Sequence, residues 1–194
     1  VWLITKFGTF REWSSPDGLG VYQTVSPASE YRTLTWLGTG LGWELAELDG
    51  TVHAFDADGL WLSTTDRNGN AKTATYTGSE LASVAFPDGT REDFTYHASG
   101  KLASITKVGV DDLTSRTWSY AWSDGSTGDD LTRVDRPDGT AILYLYGEPA
   151  FPGYLTRIEL EGSDGTSIRV LRGYEYDAEG NVTKTWKGDV SSTG

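Results

Sequence analysis

The sequence predicts an all-β fold of antiparallel β-hairpins stacked side by side into one curved, repeat-built sheet. Three observations predict it. Apolar residues alternate with period two, as in Trp118, Tyr120 and Trp122 around Ser119 and Ala121, the spacing that puts every second side chain on one face of a strand. Turn dipeptides recur along the chain: Asp17-Gly18, Asp49-Gly50, Asp58-Gly59, Asn68-Gly69, Asp88-Gly89, Asp124-Gly125, Asp138-Gly139 and Asp164-Gly165. One tetrapeptide returns four times, as Leu81-Ala82-Ser83-Val84, Leu102-Ala103-Ser104-Ile105, Leu131-Thr132-Arg133-Val134 and Leu155-Thr156-Arg157-Ile158. No apolar stripe at helical spacing runs longer than two turns.

Taken in order, residues 1–39 read as entry strands continuous with the array of hairpins. Gly38-Thr39-Gly40-Leu41-Gly42 is glycine-rich but lacks the lysine of a phosphate loop and a following helical pattern, so it reads as a tight bend between strands. Residues 40–187 form the repeating region. Val52-His53-Ala54-Phe55 is an alternating run between two Asp-Gly turns. After Leu81 the order turn, alternating strand (Phe94, Tyr96), turn, Leu is established. It recurs through Leu102, Leu131 and Leu155, with starts 21, 29 and 24 residues apart. Ile142, Tyr144 and Tyr146 alternate in the third copy, and Tyr174 and Tyr176 in the fourth. Val182-Thr183-Lys184-Thr185 is a degenerate fifth copy, and residues 188–194 are a tail. Unequal spacing around a constant unit predicts hairpins of fixed register joined by loops of variable length, the longest at 107–116, 123–130 and 147–153. Asp-Gly flanked by such runs predicts type I′ turns, in which both central residues take positive φ.

A lone two-stranded ribbon is marginal because it cannot bury its apolar face. Stacked hairpins complete one another's hydrogen-bond ladders and stack aromatics across strands. The two ends of such a stack expose open edges. The chain begins at Val1 and contains no methionine. Both features lead to the expectation that this is a stretch of a longer array.

Composition excludes several functions. With no cysteine there is no disulfide, thiolate metal site or cysteine nucleophile. A formal net charge of -12 argues against nucleic acid and anionic membrane, which need clustered Lys and Arg. No apolar run approaches the roughly 20 residues of a membrane helix, so membrane insertion is not expected.

Tyr176-Asp177-Ala178-Glu179-Gly180-Asn181-Val182 resembles the Tyr-Asp-x-x-Gly-x-Leu signature of YD repeats, found in bacterial Rhs proteins, Tc-toxin C components and teneurins. Tyr96-His97-Ala98-Ser99-Gly100-Lys101-Leu102 matches it with His97 in the Asp place. Phe55-Asp56-Ala57-Asp58-Gly59-Leu60 matches with Phe for Tyr and a one-residue shift at its end. Gly40-Leu41-Gly42-Trp43 followed by Asp49-Gly50 resembles the segment where Rhs arrays begin. The resemblance implies that Phe55, Asp56, Gly59, Tyr96, Gly100, Leu102, Tyr176, Asp177 and Gly180 are structural motif residues. It also implies hairpins that wind into a hollow shell, often around a toxic C-terminal domain. The cap motif and toxin domain of that family are not in this sequence.

Few residues read as chemistry. His53 lies in an alternating run and His97 at a turn entry. Neither has a sequence neighbour that would make it an acid or base, and no serine sits in a nucleophile-elbow pattern. Most carboxylates belong to Asp-Gly turns, where Asp caps its own backbone, and none stands out as a glycosidase pair. Asp56-Ala57-Asp58-Gly59, Asp111-Asp112 and Asp129-Asp130 faintly resemble calcium loops. They lack the convergent six to eight oxygens, so solvated turns are favoured over weak calcium binding.

The aromatics read as cross-strand ladders or, alternatively, as carbohydrate-stacking platforms. Trp13, Trp36, Trp61 and Trp186 fall outside the repeated Tyr-x-Tyr strands and are the candidates for ligand contact. The leading expectation is a structural, non-enzymatic segment of a YD-repeat shell that encapsulates or displays a toxin-type polypeptide. Its partner would be the rest of a parent protein that is secreted, extracellular or delivered by a bacterial secretion system, and no cofactor or metal is expected. The alternative is an extracellular recognition module that binds carbohydrate or a cell-surface protein through exposed aromatics and long loops.

Overall fold

The computed structural model describes residues 2–4, 10–13, 20–22, 24–26, 31–123 and 130–188. The expected turns at Asp17-Gly18 and Asp124-Gly125, the Asp129 of one acidic pair and residues 189–194 lie outside that set. The described chain is all-β, with no helix. Its strands are β1 (Trp2–Ile4), β2 (Phe10–Trp13), β3 (Val21–Tyr22), β4 (Thr24–Ser26), β5 (Thr33–Gly38), β6 (Gly42–Ala46), β7 (Val52–Phe55), β8 (Trp61–Thr65), β9 (Ala71–Thr77), β10 (Glu80–Ala85), β11 (Arg91–Tyr96), β12 (Leu102–Val108), β13 (Ser115–Trp122), β14 (Leu131–Asp135), β15 (Ala141–Glu148), β16 (Phe151–Glu161), β17 (Ile168–Tyr176) and β18 (Val182–Trp186). β1, β2 and β4 form a small sheet. The other strands form an antiparallel sheet whose order is the chain order from β5 to β18, with β3 beside β5. The chain divides into two units, residues 1–92 and 93–194.

In the first unit, strand register lines up two rows on one face. Leu34 pairs with Leu45 and Leu45 with His53, and two residues along, Trp36 pairs with Trp43 and Trp43 with Phe55. Leu34 and Leu45 are buried, with Tyr22, Trp43 and Phe55 packed against them. The opposite face carries small and hydroxylated residues, in the row Thr33, Ala46, Val52, Thr65 and Ala71. In the second unit, Val134, Ile142 and Leu160 form an apolar row. On the opposite face Asp135, Ala141 and Glu161 form the corresponding polar row.

The turns differ from the expected type I′. Among the described residues only one non-glycine, Asp112, has positive φ, whereas type I′ requires positive φ at both central positions. Seven of the described turns close instead through three-residue loops. Gly50 N–H donates to Glu47 O, and Glu47 N–H donates to Thr51 O. The same pair of bonds recurs at turns starting with Asp56, Asp66, Phe86, His97, Arg136 and Asp177. This is a type I turn followed by a glycine in the left-handed region. The residue before the glycine keeps ordinary negative φ, so Asp serves there for its side chain and not for its backbone.

The recurring tetrapeptide has a structural cause. In each of four copies its second residue is skipped by the register: Ala82 between Leu81 and Ser83, Thr132 between Leu131 and Arg133, Thr156 between Leu155 and Arg157, and Thr183 between Val182 and Lys184. Each is a β-bulge, which bends the strand and increases its twist. Leu62 is skipped in the same way after Trp61, although the tetrapeptide there is hidden in Trp61-Leu62-Ser63-Thr64.

Two of the long loops are shorter than expected. β15 reaches Glu148 and β16 begins at Phe151, so 147–153 is the tip of a long hairpin turning at Pro149 and Ala150. Gly147, at φ 126, absorbs the register shift there. Between β12 and β13 only residues 109–114 lie outside strands.

Candidate functional site

The repeated unit itself is the feature that recurs with fixed geometry, and each motif residue has a physical role in it. Asp177 opens its turn, and its Oδ1 accepts hydrogen bonds from the N–H groups of Glu179 and Asn181 at 3.1 and 2.8 Å. Asp56 accepts from Asp58 and Leu60 at 3.0 and 2.8 Å, and Asp66 accepts from Asn68 and Asn70. A second kind of turn places Asp just before the glycine. Asp88 and Asp138 there each accept from the N–H and Oγ1 of the following threonine. Gly59, Gly100 and Gly180 occupy the left-handed position with φ of 90, 79 and 84°. At Gly180 an added Cβ would also meet the Tyr154 ring.

The aromatic at the motif's first position faces the residue six places later across the turn, as Tyr176 faces Val182 and Phe55 faces Trp61. Trp61 therefore stands in the motif's Leu place, and the copy at Phe55 needs no shift. The aromatic also reaches sideways to the main chain of the preceding strand. Tyr176 Oη donates to Leu155 O at 2.6 Å, Tyr146 Oη to Leu131 O at 3.0 Å, Trp122 Nε1 to Leu102 O at 2.8 Å and Tyr76 Oη to Trp61 O at 2.7 Å. Three of these acceptors are tetrapeptide leucines, and the fourth, Trp61, opens β8 in the corresponding place. At the bulge, the skipped threonine hydroxyl bonds the carbonyl on the strand opposite: Thr132 to Ala121, Thr156 to Leu145 and Thr183 to Glu175. The bulge leaves ladder groups unpaired, and the Tyr and Thr side chains satisfy them. Partial burial pushes the Tyr146 hydroxyl above the ordinary tyrosine range, with a smaller contribution from Asp130. The phenol therefore stays protonated and able to donate.

Of the aromatic ligand candidates, Trp36 and Trp61 are brought into one in-register row, Trp36, Trp43, Phe55, Trp61. Trp36 and Trp43 lie 4.7 Å apart between ring centroids and Tyr22 lies 5.3 Å from Trp43. Trp61 Nε1 is committed to Thr64 Oγ1 at 2.9 Å. Trp186 is elsewhere, half-buried over Gly173, where an added Cβ would fall inside its ring, with the Lys184 ammonium 5.6 Å from the ring centroid. Trp13 lies in β2, and its side chain is outside the described set. Trp36 and Trp61 share that row of the first unit, and Trp186 belongs to the second unit.

Polar clusters sit on the same framework. His53 Nδ1 lies 2.9 Å from Thr64 Oγ1, and its Nε2 lies 3.5 Å from Glu47, which also binds Arg32 at 3.3 Å. His97 Nε2 lies 3.0 Å from Tyr120 O, so where the motif Asp is replaced the ring ties the turn to a neighbouring strand. Arg133 joins Asp135 at 2.7 Å and Glu161 at 2.6 and 3.2 Å. That bidentate hydrogen bonding lowers the Glu161 carboxyl below the usual range. No group of three or more His, Asp or Glu residues that could hold a metal ion occurs among the described residues. In the calcium-like segments, one oxygen (Oδ1) of Asp56 and one of Asp111 are each engaged by backbone N–H groups of the residue's own turn.

The bulges and the lateral aromatic bonds were not foreseen from sequence. The repetition of the tetrapeptide was their only signal.

The chain matches no family model and no curated protein sequence. Solved structures match its fold. A crystal structure of TcdB2-TccC3-Cdc42 aligns over 100% of this chain and 11% of its own, with a TM-score of 0.65 at 16% identity. A crystal structure of TcdB2-TccC3-TEV aligns equally fully, with a TM-score of 0.66 at 17% identity. The Photorhabdus luminescens Tc holotoxin pore carrying a TccC3 mutation aligns over 100% of this chain and 11% of its own, with a TM-score of 0.64 at 17% identity. This chain therefore spans about a ninth of the length of the structures it resembles.

Proposed function

We propose that this chain is a structural, non-enzymatic segment of a YD-repeat shell, a wall that encloses a polypeptide carried by a larger secreted or injected bacterial protein. The observation that carries this reading is the fold likeness to Tc toxin assemblies over the whole of this chain. The local chemistry supports the same role. The repeated hairpins combine side-chain-capped turns, a bulge at a fixed place and an aromatic bonded to the previous strand. A unit of that kind can be added repeatedly without a second layer of structure. Bulges at the same place in successive hairpins bend them in the same way, which is what a closed wall needs. The wall acts mechanically, by keeping protease, water and other proteins from what it encloses. The motif residues Phe55, Asp56, Gly59, Tyr96, Gly100, Leu102, Tyr176, Asp177 and Gly180 hold the bend.

Limited proteolysis of the native protein as expressed from its own gene tests this reading. A polypeptide segment that resists protease until the fold is denatured is the expected result. Cleavage of every segment outside the hairpins at the rate seen in the denatured protein would contradict enclosure.

A further inference from the structure

In the second unit, Ser115, Arg116, Trp118, Arg136, Pro137 and Asp138 line an open cleft of about 560 Å³, within the size range of small-molecule sites. Register explains the convergence. Arg116 and Trp118 are two apart on β13 and share a face, and Arg136 stands opposite Trp118, one rung beyond the Ser119–Asp135 pair. Across the other edge of β13, Lys107 faces Arg116 directly. Like charges placed opposite each other destabilise a sheet. Neither Arg116 nor Arg136 makes an ion pair with a carboxylate among the described residues. Arg133 on β14 and Arg157 on β16 are both paired. Asp138, the one acid of the cleft, spends Oδ1 on Thr140 and also feels the Arg136 charge, which leaves Arg116 as the less compensated of the two.

We propose that this cleft binds an acidic sugar, a pyranose bearing a carboxylate. The half-buried Trp118 ring offers the flat apolar platform on which a pyranose face stacks. The Arg116 and Arg136 guanidiniums take the carboxylate through charge-assisted bonds. The Ser115 hydroxyl and the remaining Asp138 oxygen receive sugar hydroxyls. A bare anion would use the arginines but not the tryptophan, and a neutral sugar would use the tryptophan but leave the arginines unmatched. This site is separate from Trp36, Trp61 and Trp186, and it stands whether or not the chain is a shell wall.

The test is an NMR titration of the full chain, following the Trp118 indole N–H signal identified through Trp118→Phe. A tri-galacturonate should shift that signal saturably. Neutral tri-galactose should bind at least about tenfold more weakly, and the Arg116→Gln/Arg136→Gln variant should lose at least about tenfold in affinity for the acid. Circular dichroism checks that the variant is folded. If it is not, Arg116→Gln alone, at an exposed position, carries the same comparison. The proposal is overturned if the indole signal does not move or if the neutral sugar binds equally well. It is equally overturned if sodium sulfate reproduces the shift (an adventitious ion only), if a glutamate-rich peptide binds more tightly, or if a folded arginine variant binds undiminished.

Discussion

At the scale of single residues, turn aspartates do much of the closing of hairpins, and they do it as carboxylates. Hydrogen bonds from Ser167 Oγ and from the Ser167 and Thr166 N–H groups hold Asp164 down to about 2. Bonds within their own turns also lower Asp49, Asp66, Asp111, Asp138 and Asp177. A carboxyl whose folded value lies below its unfolded value near 3.8 stabilises the fold fully above that pH. The contribution is lost as pH falls through the folded value. Thermal melts should therefore fall progressively from about pH 4 to about pH 2. The fall should persist in high salt, because its causes are short hydrogen bonds and not long-range charge. An unchanged melting temperature across that window would contradict the capping role. The aromatic bonds make a second residue-scale prediction. Tyr146→Phe keeps the ring and removes only the donor to Leu131 O, and should cost about 1 kcal/mol in denaturant unfolding. The presence of these turns was readable from sequence, but their type was not. An Asp-Gly pair suits both a two-residue and a three-residue loop. What decides between them is the register of the flanking strands, as where Tyr176 meets Val182, and that depends on the whole hairpin.

At the scale of elements, the bulge sets the geometry of the strand pairs that carry it. Thr156→Val keeps the branched shape and deletes the hydroxyl that satisfies Leu145 O. It should destabilise by about 1 kcal/mol without changing the far-ultraviolet spectrum. A loss of strand content instead would mean that the bulge is made by the hydroxyl and not by the backbone. Between β17 and β18, Gly173 leaves room for the Trp186 ring. Gly173→Ala should cost about 1 to 3 kcal/mol through overpacking, read as a tryptophan emission shift at lower denaturant than in the parent chain. The alternating strands and their order were legible, because period-two alternation and a repeated tetrapeptide leave little choice. Bulges were not, since a skipped residue has no composition of its own: Ala82, Thr132, Thr156, Thr183 and Leu62 share only their place. The candidate ligand tryptophans were chosen for lying outside the Tyr-x-Tyr strands. Register instead placed Trp36 and Trp61 in a row with Trp43 and Phe55, a relation that depends on the register of three successive strand pairs.

At the scale of the whole molecule, the fold is built by repetition and not around a single large core. Among the described residues the buried apolar side chains are Leu34, Leu45, Val84, Val108, Ala141 and Ile142, divided between the two units of the chain. Stability then rests on what each hairpin gives its neighbours, and the net charge of -12 disfavours association between exposed sheet surfaces. Cryo-electron microscopy of the protein as expressed from its own gene tests the central claim most directly. The prediction is density in which these hairpins form a single-layered wall around an internal space that holds polypeptide. A compact sandwich, with a second sheet packed against the aromatic face and no enclosed space, would contradict it.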